Sequence, residues 1–171
     1  VKIVDESDEE VPKGVFGELL SRGPYTIDGY YKADEANRVS FTADGFYRTG
    51  DKAMWTKEGC LRLGGRIKEQ INRAGEKIMP SEIEGYLCQH PDIKEAAVVG
   101  IPDEVLGNRI CAFIMPEDEK QMDLLEIHQF LKAMGVASYK LPDQVETIEL
   151  WPLTSVGKID KKALASMVQN N

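Results

Sequence analysis

No stretch of this chain approaches the roughly 18 consecutive apolar residues that a membrane-spanning helix needs. The start, Val1-Lys2-Ile3-Val4-Asp5, lacks both the basic region and the long apolar stretch of a secretory signal. A cytoplasmic location without a membrane partner is therefore expected. Cysteine is scarce: Cys60, Cys88 and Cys111 are odd in number and far apart, which argues against a disulfide framework or a zinc ribbon. They read as reduced structural thiols. With only His90 and His128, a histidine-based metal site or a Ser-His-Asp triad has few candidates. No metal ligand is assigned, and both histidines read as structural or surface residues. Basic surplus is missing too, since 21 Lys and Arg stand against 29 Asp and Glu, a net charge of −8. A phosphate backbone would be repelled, so nucleic acid is not an expected partner.

What is present suits a packed fold. The 171 residues are 42% hydrophobic, with 15 Gly and 8 Pro, near ordinary usage, so disordered and collagen-like classes drop out. The length fits one ordinary domain or two small ones. Its first residue is Val1, inside an alternating strand, which suggests a piece of something longer.

Residues 1–66 read as short strands separated by turns: Lys2 to Val4, Val15 to Ser21, Gly45 to Trp55 and Cys60 to Leu63, with a short helix from Ala33 to Ser40. Such a segment buries little core by itself. It is expected to complete a sheet whose other strands are absent. From Lys68 the pattern alternates between helix and strand. Ser81-Glu82-Ile83-Glu84, beside Pro80, has the form of a capping box opening a helix that runs to His90-Pro91. Strands are expected at Ile93 to Ile101, Arg109 to Met115 and Gln144 to Leu150. A helix capped by Asp123 should end at Gly135, and another should follow Asp160, over Lys161 to Val168. The first 67 residues carry 10 basic and 12 acidic side chains, the remainder 11 and 17. Pattern and charge both place a boundary at Arg66 to Lys68. The fold class is α+β, with residues 1–67 a β-rich part and residues 68–171 a small α+β domain.

Four short segments carry candidate chemistry. Tyr47-Arg48-Thr49-Gly50-Asp51 reads as a strand ending in a tight turn; Asp51 there is either a turn residue or a carboxylate that accepts two ribose hydroxyls. Gly64-Gly65-Arg66-Ile67-Lys68 is either a flexible linker with solvated charges or a hinge, with Arg66 aimed at a nucleotide and Lys68 changing its torsions. In Ile71-Asn72-Arg73-Ala74-Gly75-Glu76-Lys77, Gly75 either allows a slim ligand close approach or makes a hairpin turn, and the sequence leans to the turn. Finally, Leu153-Thr154-Ser155-Val156-Gly157-Lys158 enters the last helix. Its Lys158 is either a solvated loop lysine or an ammonium that bridges carboxylate and phosphoryl oxygens.

Together these segments carry a resemblance. Gly17-Glu18-Leu19 with Gly29-Tyr30, then Tyr47-Arg48-Thr49-Gly50-Asp51, Gly65-Arg66 with Lys68 and Gln70, and Gly157-Lys158-Ile159-Asp160 resemble, in order and spacing, the later core motifs of the adenylate-forming superfamily of acyl-CoA synthetases, luciferases and peptide-synthetase adenylation domains. Arg22-Gly23-Pro24-Tyr25-Thr26, Gln70 to Lys77 and Leu153 to Lys158 look most like stand-alone aryl acid-AMP ligases, the dihydroxybenzoate- and salicylate-activating enzymes of siderophore assembly.

The resemblance implies a two-step ligase. An aromatic carboxylic acid and ATP give acyl-AMP and pyrophosphate; the acyl group then passes to the phosphopantetheine thiol of an aryl carrier protein. By analogy Asp51 binds the ribose hydroxyls and Arg66 lies near the ribose and α-phosphate. Lys158 contacts the attacking carboxylate, Lys68 is the hinge, Gly75 lines the thiol tunnel and Lys77 lies near its entrance. The β-rich part would be the end of a large N-terminal domain and residues 68–171 a mobile lid. The family's Ser/Thr/Gly-rich phosphate loop, its adenine-packing aromatic motif and the acyl pocket are not found in this sequence. Mg²⁺ is expected to be bound through that missing part, and the fragment alone is expected to be inactive. Two other readings stand beside this one, an acyl-CoA ligase using coenzyme A and a non-catalytic module that binds a carrier protein.

Overall fold

The computed structural model describes residues 1–118 and 121–169, in two compact units, Val1–Lys68 and Glu69–Asn171. In the first unit, β1 (Lys2–Val4), β2 (Gly17–Ser21), β3 (Tyr47–Trp55) and β4 (Leu61–Arg66) form one antiparallel sheet in the order β1-β2-β3-β4. Helix α1 (Asp34–Ser40) buries no residue. Alternation along the strands splits the apolar residues between two faces. Ile3, Leu19 and Ala53 pack on one side, and Val4, Leu20 and Phe46 on the other.

The tight turn expected at Thr49-Gly50-Asp51 is instead an irregularity inside β3. Glu18 pairs with Lys52 but Leu20 with Arg48, so residues 49–51 leave the register. Gly50 has φ +70°, a conformation that breaks the ladder and that glycine adopts without strain. Thr49 restores the lost bonds: its hydroxyl donates to the Leu19 carbonyl at 2.8 Å and accepts from the Asp51 amide at 3.0 Å. Such bulges re-aim side chains. The Gly64-Gly65 pair is not a flexible linker either. Both glycines lie in β4, Gly65 opposite Lys52, and a Cβ on Gly64 would fall 2.8 Å from the Phe16 ring. Close packing explains Gly64. The units divide just beyond, within a one-turn 3₁₀ helix at Ile67–Glu69.

The second unit opens with a hairpin of β5 (Ile71–Arg73) and β6 (Glu76–Ile78), followed by α2 (Pro80–Leu87), β7 (Ile93–Asp103), β8 (Gly107–Pro116), α3 (Leu124–Ala133), β9 (Gln144–Thr147) and α4 (Lys161–Gln169). β7 and β8 are antiparallel, and β9 returns through α3 to pair parallel with β8. Successive residues of β8 enter opposite cores. Ile110, Ala112 and Ile114 pack with Ile83, Leu87, Ile127 and Leu131 of α2 and α3; Cys111 and Phe113 pack with Trp151 and with Leu164 of α4. A strand covered on both faces needs an unbroken apolar run, which Ile110 to Met115 supplies.

The expected capping box does not form. Pro80 starts α2 two residues early, Met79 rather than Ser81 is the N-cap, and no side chain caps it. Glu84 accepts instead from the Val98 amide of β7 at 2.7 Å. The other two caps appear as expected: Asp123 accepts from the Glu126 amide at 2.8 Å, and Asp160 from the Lys162 and Ala163 amides at 3.0 and 3.1 Å. Among the described residues no helix is long and apolar enough to cross a membrane.

Candidate functional site

β3 and β4 bring Asp51 and Arg66 together as direct partners in the antiparallel ladder. Arg66 Nε lies 3.0 Å from Asp51 Oδ1, and its Nη1 donates to the Thr49 carbonyl at 3.0 Å. The Thr49 bulge thus positions both the acid and the base. With side chains 31% and 55% exposed, the pair contributes only about 0–1 kcal/mol of stability. A carboxylate so weakly committed can exchange its arginine for a ligand's hydroxyls, while the guanidinium remains beside it for an anion.

Tyr47, at the start of β3, shares a hydrogen bond of 2.9 Å with the Tyr30 hydroxyl. That bond pushes the Tyr47 phenol up, with Arg66 and Asp51 close enough to act on it with opposite sign. Tyr30 is itself clamped by Asn37, which accepts from its amide at 2.7 Å and donates to its carbonyl at 2.9 Å. An open cleft of about 440 Å³, lined by residues 21–27 and Tyr47, adjoins this corner. Neither Asn37 nor the tyrosine pair was assigned a role from the sequence. Tyr30 and Tyr47 lie 17 residues apart, and the Asn37 clamp on Tyr30 joins residues that share no helix or strand.

In the second unit, Ala74 and Gly75 are the two turn residues between the paired Arg73 and Glu76, with φ +51° and +88°. Two positive φ values in a two-residue loop define the hairpin turn that matches strand twist. The hairpin alternative at Gly75 is therefore the one found. Open space surrounds the Cβ position of Gly75. The turn is anchored on its flank: the Ala74 amide donates to the Leu106 carbonyl at 2.8 Å, and Arg73 Nη2 donates to Asp143 Oδ1 at 2.6 Å. That carboxylate raises the Arg73 guanidinium above its ordinary value. Lys77 is exposed on β6, opposite Asn72, and Lys68 is exposed in the 3₁₀ turn.

Lys158 is exposed in a loop that is closed at its base. Leu153 and Ile159 form an isolated bridge, and the Thr154 amide donates to the Lys158 carbonyl at 2.7 Å. The Thr154 hydroxyl accepts from the Lys158 amide at 3.2 Å. Fixed backbone with an exposed ammonium suits a lysine that meets a ligand. The histidines keep structural contacts: His128 Nε2 lies 2.6 Å from the Pro142 carbonyl, and His90 packs edge-on to Phe130. His90, Asp92 and Glu126 place possible ligand atoms within 4.8 Å of one another, but His90 Nδ1 already accepts from the Asp92 amide at 3.2 Å. That arrangement carries no metal assignment.

The small α+β unit is of a known class: residues 82–158 match the family described as the AMP-binding enzyme C-terminal domain. The chain is thus related to the adenylate-forming enzymes, as its motifs suggested. In particular it is 49% identical over 168 residues to the 2,3-dihydroxybenzoate-AMP ligase of Bacillus subtilis, covering 98% of this chain and 31% of the relative. It is 46% identical over 169 residues to a salicylyl-CoA synthase / salicylate adenylyltransferase of a Streptomyces species, covering 99% and 31%. Among solved structures, ATP-bound MatB from Rhodopseudomonas palustris superimposes with a TM-score of 0.91 at 26% identity, over 99% of this chain and 34% of that one. The chain spans about a third of the length of these proteins.

Proposed function

We propose that this chain is the C-terminal part of an ATP-dependent aryl acid-AMP ligase that activates 2,3-dihydroxybenzoate or salicylate for siderophore biosynthesis. The acyl group then passes to the phosphopantetheine thiol of an aryl carrier protein. The observation that carries the reading is the Asp51–Arg66 pair, a paired acceptor and cation held side by side by one bulge. A nucleotide offers the matching combination of ribose diol and phosphate. In this reading Asp51 accepts the ribose hydroxyls, Arg66 stays beside the α-phosphate, and Mg²⁺ accompanies ATP. Lys158 neutralises charge as the carboxylate attacks. Lys68, in the 3₁₀ turn, changes its backbone torsions between the two half-reactions, whereupon Gly75 and Lys77 serve the thiol.

The choice of an aryl acid rests on the similarity to the Bacillus and Streptomyces relatives. The Streptomyces relative, a salicylyl-CoA synthase / salicylate adenylyltransferase, favours a second reading in which coenzyme A is the acceptor. Both are tested on the full-length protein by measuring aryl-acid-dependent ATP–pyrophosphate exchange, then supplying carrier protein or coenzyme A. Exchange followed by acylation of the carrier is expected. Transfer to coenzyme A alone would select the second reading, and no exchange with any aromatic acid would overturn both.

A further inference from the structure

Lys161, the first residue of α4, is half-buried between two acids for which the proposed reaction has no use. Its Nζ lies 2.9 Å from Glu69 Oε2 and 2.7 Å from Glu84 Oε1, and its side chain is only 23% exposed. Burial alone pushes an ammonium down, yet the two carboxylates outweigh it and leave Lys161 raised. Glu84 Oε1 is also the acceptor of the Val98 amide, so the cation is tied to the sheet through an acid that is itself fixed. Lys161 and Glu84 are both largely shielded, so removing either strands the other's charge in partly desolvated surroundings, which makes the cluster a joint.

The location of the joint suggests its use. Glu69 is the first residue of the second unit, adjoining Lys68. Asp160, the neighbour of Lys161, donates its amide to the Pro152 carbonyl at 2.7 Å, and Leu153 pairs with Ile159. The start of α4 is thus also the base of the loop that carries Lys158, three residues before the half-buried cation. We infer that Lys161 is a positioning residue for Lys158, clamping the base of its loop between Glu84 and the Glu69 that follows the hinge. This rests on the proposed role of Lys158. A lysine on an unclamped loop would sample positions away from the reacting carboxylate, and a displacement of about 1 Å is enough to cost up to about 100-fold in rate.

The test is a double-mutant cycle on the full-length enzyme, read by the kcat and KM of aryl-acid-dependent ATP–pyrophosphate exchange. Lys161→Met is expected to lower kcat at least about tenfold with KM for ATP and acid within about twofold, Lys161→Arg to recover most of the loss, and Lys161→Met to add nothing in a Lys158→Ala background. Glu69→Gln, which removes only the more exposed partner, is expected to give a smaller loss of the same kind and guards against a Lys161→Met protein that does not fold. If Lys158→Ala slows exchange while Lys161→Met and Glu69→Gln do not, or if the losses from Lys158 and Lys161 multiply independently, the positioning role is overturned and the function proposed above stands. If Lys158→Ala itself leaves exchange intact, the proposed role of Lys158 has failed, and the positioning role with it.

Discussion

Thr49 holds Asp51 from both ends: its hydroxyl accepts from the Asp51 amide at 3.0 Å, while its carbonyl accepts from the Arg66 that pairs with the Asp51 carboxylate. One threonine in a bulged strand thereby fixes the spacing of an acid and a base that meet at the sheet surface. The site is assembled by the backbone irregularity rather than by burial, which is why the pair stays accessible.

Replacing that acid removes an ionised acceptor and keeps the shape. Asp51→Asn in the full-length enzyme is expected to weaken ATP binding by roughly 10- to 100-fold, the loss of about 1.5–3 kcal/mol for hydrogen bonds to a charged group. Equilibrium binding of ATP by titration calorimetry measures it. Unchanged affinity would remove Asp51 from the nucleotide site.

Lys158 acts, in the proposed reaction, only while the carboxylate attacks. Lys158→Ala should slow adenylation by around 10²- to 10³-fold, the scale for one preorganised electrostatic contact. Thioester formation from supplied acyl-AMP should persist. Equal losses in the two half-reactions, measured by single-turnover assays, would contradict this division of labour.

Ala74 occupies a left-handed conformation, at φ +51°, that costs an L-residue about 1–2 kcal/mol. Glycine relieves the strain but adds about 0.4–1 kcal/mol of unfolded-state entropy. Ala74→Gly should therefore stabilise the 171-residue chain slightly, by up to about 1.5 kcal/mol in urea denaturation. A lower urea midpoint would mean that the alanine methyl makes a contact worth more than the strain.

The buried Cys111 thiol is pushed up to about 12 by its desolvation. In the unfolded chain it ionises near its ordinary 9.0, so the unfolded state sheds this proton first. The thiol's contribution is full below that value and declines as pH rises toward 12, by up to about 1.4 kcal/mol per unit. The stability advantage of the unaltered chain over Cys111→Ala, measured by urea unfolding from pH 8 to 11, should shrink with rising pH. A constant difference would show that the thiol is not desolvated. Cys60 and Cys88, both exposed, should react with a thiol reagent in the folded chain, before Cys111 does.

Much of this architecture was legible where local chemistry and tertiary structure agree. The Asp123 and Asp160 caps, and the apolar run of β8, carry their own signals. Glu84 was misread because a capping box is a local rule, whereas the carboxylate answers to the Val98 amide and Lys161, both remote in sequence. The Gly64-Gly65 pair likewise reads as flexible until Phe16 is seen against it. At the candidate site, residue types and motif order pointed to Asp51 and Arg66, but not to the bulge that aligns them. A change of register depends on the partner strand, and nothing in residues 49–51 states where β2 will pair.

The parallel return of β9 to β8 also governs what becomes of a shortened chain. Cys111 to Ile114 are covered along one edge by Gln144 to Thr147 and, at the Ile114 carbonyl, by the Ile148 amide. A polypeptide ending before Gln144 would expose those unpaired amides and carbonyls beside an apolar sequence. Such an edge is a template for pairing with other chains. In this fold the four residues of β9 act as a guard against self-association, and expression boundaries drawn inside α3 or before β9 invite aggregation.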